Sequence, residues 1–353
     1  MSRPTEVRTL RSEEYEEWNR LVAESPSGSV YATPEYLAAL CRSTGGGFEI
    51  RAVLQDDQIV GGVGLYHEPA EGRTVVSPRL LLYYNGPVLQ RFPSRSPGEV
   101  LKREVATLAA LEEDLREGGF GRVSLKSRSP VADVRPFLEQ GWSAAPVYTL
   151  VVPLQDRDAL WKRLDRNARR LVRRAEREGL TFSEDDDFES FFRMHRQIHK
   201  RKGAPLYLTE RPFRAYFEAL RASSMVRLYH ARLPDGRSVS AQMVLADGHP
   251  VTHTVSAASD DDHSRTGASP FLRWKVCEEL GREGYAFNDL TGAAPGPVTR
   301  FKTQLGGDLE VSMEVVWTSA RFRVRQVPAA LNRRGRRWAR VLLAPLRVGG
   351  NVR

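Results

Sequence analysis

Ser264-Arg265-Thr266-Gly267-Ala268-Ser269-Pro270 separates two unlike patterns, and reading across it decides the fold. Before it lie three short runs, 225–233, 238–246 and 250–257, rich in residues that favour strands. Pro234-Asp235-Gly236-Arg237 and Asp247-Gly248 divide them, as hairpin turns do. After it, Pro270 to about Gly281 reads as a helix, and 285–290 as a strand. A meander that feeds a helix through a glycine loop presents free N–H groups at the helix start, and these attract anions. Phe287-Asn288-Asp289-Leu290-Thr291-Gly292 then ends a strand. A Pro/Gly-rich loop leads to Val298-Thr299-Arg300-Phe301-Lys302-Thr303-Gln304-Leu305-Gly306-Gly307. An aromatic, a lysine and a Gly-Gly turn can place a cation beside a ligand. A last strand is expected near 309–317.

Upstream, Asp158 is expected to cap a helix with apolar positions at Leu160, Trp161, Leu164, Ala168, Leu171, Val172 and Ala175, stopped by Gly179. Helical patterns follow at 188–200 and 210–221. The first 150 residues repeat this plan. Two helical patterns, at 12–22 and 33–40, precede strands at 48–55, 58–66 and Leu80 to Tyr84. A helix over 98–117, a strand at 122–125, a short helix near 131–139 and a strand at 146–152 complete it. Ala52, Leu54, Asp56 and Val60 match Ala231, Leu233, Asp235 and Val239 at one constant offset. Leu115, Gly119, Phe120 and Leu125 match Leu280, Gly284, Tyr285 and Leu290 at another. The expected fold class is α/β with mixed sheets, in two tandem domains, 1–152 and 153–320, and a basic tail, 321–353.

The chain has 353 residues, 41% hydrophobic and 27% charged, which excludes a disordered or collagen-like protein. Its net charge of +9 is uneven. Residues 321–353 contain ten arginines and no acid, whereas residues 1–320 hold 43 bases against 44 acids. On a helical wheel Leu331, Trp338, Val341 and Leu342 oppose Arg333, Arg336, Arg337 and Arg340. A basic amphipathic helix of this kind suits an anionic membrane surface, with 326–347 as the contact. Docking on the body or on RNA are the alternatives. Two cysteines exclude a disulfide framework. No stretch reaches the length of a membrane span, and the N-terminus lacks a signal peptide's apolar region, so a cytoplasmic location is expected, peripheral at the membrane's inner face if the tail binds lipid.

No Walker A, GxSxG or HExxH motif occurs. Cys277 reads as a buried structural thiol. Asp260-Asp261-Asp262 departs from the spaced calcium loop, and the histidines have no acidic or cysteine companions at metal spacing, so no metal is expected. The helix from Trp161 to Glu178 carries eight Lys/Arg against three acids. It is either a solvated face or a platform for phosphates, which guanidinium groups bind in bidentate fashion. His199-Lys200-Arg201-Lys202-Gly203 puts cations at a helix C-terminus. Asp289, at a strand end, is the candidate base, with a core-capping role as the alternative. His253, mid-strand, reads as structural.

Taken in order, several segments resemble the FemABX-type aminoacyltransferases, a FemAB-like branch of the GNAT superfamily with two GNAT-like domains in one chain. They are Tyr84-Asn85-Gly86-Pro87, Leu160-Trp161 with the arginine-rich helix, Arg201-Lys202-Gly203-Ala204-Pro205, Pro270 to Trp274, Gly284 to Asp289, and Phe301-Lys302 before Gly306-Gly307. The resemblance covers roughly residues 10–318. It implies transfer of an aminoacyl or acyl group from aminoacyl-tRNA or acyl-CoA to an amine, on a peptidoglycan or other cell-envelope precursor or on a secondary metabolite. It places Phe301 and Arg300 at the donor, with Lys302 facing a phosphate or the reacting carbonyl. Gly267 and Arg265 fall in a GNAT-type pyrophosphate loop, and Arg201, Tyr84 and Asn85 at the acceptor. No permanent cofactor or metal is implied. The chain departs from the pattern at Ser264, where the loop calls for a basic or amide residue. The helix Pro34 to Leu40 has no lysine for a precursor diphosphate, and a tRNA-binding helical hairpin is missing. The alternatives are an acetyl-CoA-dependent N-acetyltransferase and a non-catalytic membrane-surface scaffold.

Overall fold

The computed structural model describes residues 5–79 and 81–323, without the side chains of Asp261, Ser264 and Arg265. The tail expected over 321–353 therefore lies, from 324 on, outside the described residues. The first half opens with strand β1 (Thr5–Thr9), helices α1 (Tyr15–Glu24) and α2 (Pro34–Thr44), and strands β2 (Gly47–Gln55), β3 (Gln58–Ala70), β4 (Arg73–Val76) and β5 (Val88–Leu89). Helix α3 (Pro97–Glu117), β6 (Arg122–Lys126), α4 (Arg135–Glu139) and β7 (Ser143–Pro153) follow. The second half has α5 (Arg157–Arg163), α6 (Arg166–Arg177), β8 (Thr181–Glu184), α7 (Phe188–Lys202), α8 (Glu210–Ala222), β9 (Val226–Arg232), β10 (Ser238–Leu245) and β11 (Val251–Ser259). It ends with α9 (Ala268–Arg282), β12 (Phe287–Asp289), α10 (Pro297–Thr303) and β13 (Asp308–Thr318).

All the strands join one mixed sheet, ordered β1-β2-β3-β4-β6-β13-β7-β12-β11-β10-β9-β8, with β5 alongside β3. The repeat is visible in it. Each half has an antiparallel hairpin, a third strand, a helix and then a strand parallel to the third, β4 with β6 and β11 with β12. The last strands are exchanged. β7 pairs with β12 of the second half, whereas β13 pairs with β6 of the first and also with β7. The sheet therefore has no edge at residue 152.

Period-2 alternation sorts side chains to the two faces. Ala241, Met243 and Leu245 of β10 join a core with α2, α7 and α8, whereas Val244, and Val239 across a register slip between Ser238 and Ser240, join another with α6 and α9. The first core spans both halves: Tyr36 of α2 meets Tyr216 of α8, hydroxyl to hydroxyl at 3.1 Å.

Local chemistry explains three departures from the sequence reading. The helix expected over 158–178 is two. Asp156, not Asp158, caps α5, and Asp165 caps α6 by accepting from Asn167 N–H at 2.7 Å, because Leu164 has left the helix at ψ 137°. Of the strand expected over Leu80 to Tyr84, residues 81–84 form none. Leu81 takes φ 77°, and only Arg79 and Leu82 bridge. Instead the Asn85 amide stands in for a ladder partner, donating to Ser124 O and accepting from Lys126 N–H, both at 2.9 Å. Third, the loop before Gly306 contains a helix, α10, with Pro297 at its start. No helix among the described residues is long and apolar enough to cross a membrane.

Gly86 follows that amide. A Cβ there would lie 2.5 Å from Ser127 Cα and 2.8 Å from its nitrogen, backbone that cannot swing aside. Gly86→Ala is expected to lower stability by about 1–3 kcal/mol, seen as an earlier urea midpoint with an unchanged slope.

Candidate active site

The parallel pairing of β11 with β12 stops at His253 and Asp289. Beyond it β11 runs on to Ser259, while the other chain turns away through Thr291 (φ 51°) and Gly292 (φ 80°). A cavity of about 520 Å³ opens in this fork. Its walls are the C-terminal half of α7, β11 from Thr254, the first turns of α9, and α10, with Tyr83 the contribution from the first half. On β11 the register to β10 slips between Met243 and Val244, so Val255 bulges without a cross-strand partner. Bulges re-aim backbone groups, and this one faces the cavity.

Lys302 lines the cavity. Its Nζ donates to the carbonyls of Leu290 (2.6 Å), Thr291 (2.8 Å) and Gly292 (2.8 Å), so all its protons are engaged in closing the left-handed turn. Burial, and then Arg273 nearby, push the ammonium down to about 8. Phe301 lies beside it on α10 and packs against the second-half core. Arg300 is not among the lining residues. Arg201 reaches the cavity from the last turn of α7, as does Lys202.

The other expected site residues lie elsewhere. Asp289 is fully buried and does not line the cavity. It accepts from Thr149 Oγ1 (2.5 Å), Tyr84 Oη (2.7 Å) and Thr291 N–H (2.7 Å), with His253 Nδ1 at 3.6 Å. Burial alone would raise its carboxyl. The His253, Thr149 and Tyr84 interactions outweigh it and hold the group at about 2. A carboxylate so occupied suits an anchor, the core-capping alternative, better than a base. Tyr84 and Asn85 are likewise buried in the joint between halves rather than at the cavity. Gly267 serves packing: a Cβ there would meet Leu171 O of α6 at 2.4 Å. The side chain of Arg265 is outside the described residues.

Reading along the chain missed Tyr83, His199 and Arg273. Arg273 lines the cavity with no hydrogen bond or ion pair to any described residue, and burial lowers its guanidinium to about 10. Its signal was a lone charge among Phe271, Leu272 and Trp274. His199 lies one turn from His195 on the apolar face of α7. The histidines also have acidic neighbours that spacing did not show. His230, Asp185 and Asp187 bring potential metal ligands within 4.8 Å of one another, but the Arg232 guanidinium bonds both carboxylates at 2.9 and 3.1 Å. Cys277 is buried, its thiol pushed up to about 12 by burial, as a structural role requires.

Outside the cavity, α6 shows Arg166, Arg169, Arg170, Arg173 and Arg177 along a shallow groove. Spacings of 3, 4, 7 and 11 residues put them on one stripe. None has an acidic partner among the described residues. Ala168, Val172 and Ala175 face the core.

Residues 162–303 match the family model of an acetyltransferase (GNAT) domain. This segment contains every cavity-lining residue except Tyr83. This part of the second half is thus similar to a GNAT acetyltransferase domain. Across both halves, the chain shares its fold with FemX, at TM-score 0.71 and 14% identity over 91% of this chain and 99% of that one. The C-terminal DUF2156 domain of a putative lysylphosphatidylglycerol synthetase from Agrobacterium fabrum gives 0.58 and 14%, over 91% and 96%. A tandem GNAT protein from the clavulanic acid biosynthesis pathway gives 0.51 and 14%, over 89% and 98%. No curated protein matches in sequence.

Asp289 gives a pH test. Its folded pKa is depressed, so its stabilisation is present above about pH 4 and is lost as pH falls towards 2. Asp289→Asn should therefore cost roughly 2 kcal/mol or more at pH 7, and the gap to wild type should narrow across that window in urea titrations.

Proposed function

We propose that this protein moves an acyl or aminoacyl group from a phosphate-bearing carrier, acyl-CoA or aminoacyl-tRNA, to an amine of a cell-envelope or secondary-metabolite precursor, in the fork between β11 and β12. The observation that carries this reading is the fork itself. Val255 bulges past the end of the β12 ladder and out of register with β10, and a backbone N–H re-aimed there suits a developing oxyanion. The acyl carbonyl lies along β11. Lys302 holds the turn that shapes the opposite wall, and Phe301 flanks the acyl group. Arg273 offers its free guanidinium to a phosphate or carboxylate of one substrate. The transfer is direct: amine and donor meet in one ternary complex, and the protein supplies orientation more than covalent chemistry.

The arginine stripe of α6 is the platform for the carrier's phosphates. Helix α6 packs on α9 and on the loop before it, and α9 lends Ser269 and Arg273 to the cavity. A solely acetyl-CoA-dependent reaction is the second reading, favoured by the family model over 162–303 and by the α9 N-terminus at Ser269. Against it stands Ser264, where a pyrophosphate loop calls for a cation or amide.

A screen of aminoacyl-tRNAs and acyl-CoAs against simple amines, read by product mass, tests the proposal. A protein inert with every pair overturns it. With the active donor, Arg166→Gln, Arg169→Gln and Arg170→Gln combined should raise the donor KM roughly tenfold and leave kcat unchanged, since phosphate contacts made equally in ground and transition states affect binding alone.

A further inference from the structure

We infer that His199 is the catalytic base of the transfer, an assignment that rests on the acyl-transfer reading above. An amine that attacks an acyl carbonyl must give up a proton, and the acceptor has to stand in the cavity. Among the described residues no carboxylate lines it. Lys302 is a cation with its protons engaged, and Arg273 is permanently charged. Burial raises the hydroxyls of Tyr83 and Tyr207, the latter to about 12, so both keep their protons at neutral pH. His195 is 4% exposed, and burial, then His199, lower it to about 4, which makes it a weak acceptor.

His199 differs by its geometry. Helix α7 ends in a left-handed turn at Gly203 (φ 60°), with Ala204 N–H returning to His199 O at 3.0 Å. The turn folds Pro205 back over the ring, and His199 Nδ1 lies 2.9 Å from Pro205 O. A carbonyl can only accept, so Nδ1 carries the hydrogen and the neutral ring has its lone pair on Nε2. Nε2 has no hydrogen-bond partner among the described residues. The His195 ring, 4.4 Å away, and the Tyr207 ring, 5.7 Å away, hold the imidazole from two sides. The titratable groups facing the cavity with it are His195, Arg201, Lys202, Tyr83, Tyr207, Arg273 and Lys302.

In the reaction the amine nitrogen bonds to the acyl carbon and its proton passes to Nε2. The bond from that carbon to the carrier's oxygen or sulfur then breaks, the electron pair leaving with the carrier. The imidazolium returns its proton to the carrier's leaving atom, and the ring is neutral again.

His199→Asn separates this role from a structural one, because the shorter amide can still donate to Pro205 O but has no basic nitrogen. With the donor and amine found by the screen, the full-length variant should lose about 100-fold or more in kcat, keep its donor KM within a few-fold, and lose the acidic limb of the pH–rate profile. An Asn variant with near wild-type kcat, or with the limb intact, overturns the assignment while the acyl-transfer reading stands. A wild-type protein inert with every donor overturns both. Ring-nitrogen NMR of the full chain gives a readout without substrate: a proton on Nδ1 of His199 is expected, and a neutral ring protonated on Nε2 overturns the assignment.

Discussion

A carboxylate shut away from water persists only if donors reach its oxygens, and Asp289 collects them from segments far apart in the chain. Tyr84 and Thr149 come from the first half and Thr291 from the second, with the His253 ring 3.6 Å away. Removing any one leaves a buried charge short of a partner, so the four segments are held in one arrangement. That arrangement sits where β12 ends. The chain must turn there through two left-handed residues, and Thr291 is β-branched, which disfavours that conformation. The three carbonyls thrown outward by the turn converge on Lys302. The anchor below and the ammonium above thus fix the wall of the cavity between them.

The strand exchange makes the same point at larger scale. β13 is zipped to β7 along nine residue pairs and to β6 along five. The second half cannot leave the first without breaking ladders on both sides of its own last strand. The helices add to this, since the core under α2, α7 and α8 is continuous. A cavity lined almost wholly by residues 162–303 therefore takes its rigidity from residues outside that segment, and among the described residues Tyr83 alone lines it from the first half.

This division explains what could be read from the chain and what could not. The paired hairpins at Asp56 and Asp235 were legible because turn chemistry acts over four residues, and the repeat followed from them. The break at Leu164-Asp165 was missed because one aspartate in an arginine-rich run resembles charge compensation, when it is an N-cap. At the site, Phe301, Lys302 and Arg201 do share one cavity. Tyr84, Asn85, Gly267 and Asp289 do not join them, although the segments around them are adjacent. Tyr83 and Tyr84 show why. They are neighbours in sequence, yet one faces the cavity and the other bonds a carboxylate 205 residues away. Sequence position marks a segment as close to the site, but the contacts that turn each side chain inward or outward are long-range.

Charge completes the argument. The net +9 is carried by the tail, and among the described residues of the nearly neutral body two sets of cations without an acidic partner stand out, the α6 stripe and Arg273. These differ in consequence. Exposed arginines on a stripe are screened by water and salt, so they steer and hold an anion at little expense to folding. A partly buried guanidinium with no counter-charge destabilises the empty site and regains that energy only when an anion arrives. Lys302, already satisfied by carbonyls, cannot play this part. On the proposed reading, discrimination among anionic substrates falls to Arg273, while the stripe serves a phosphate carrier that lies along it.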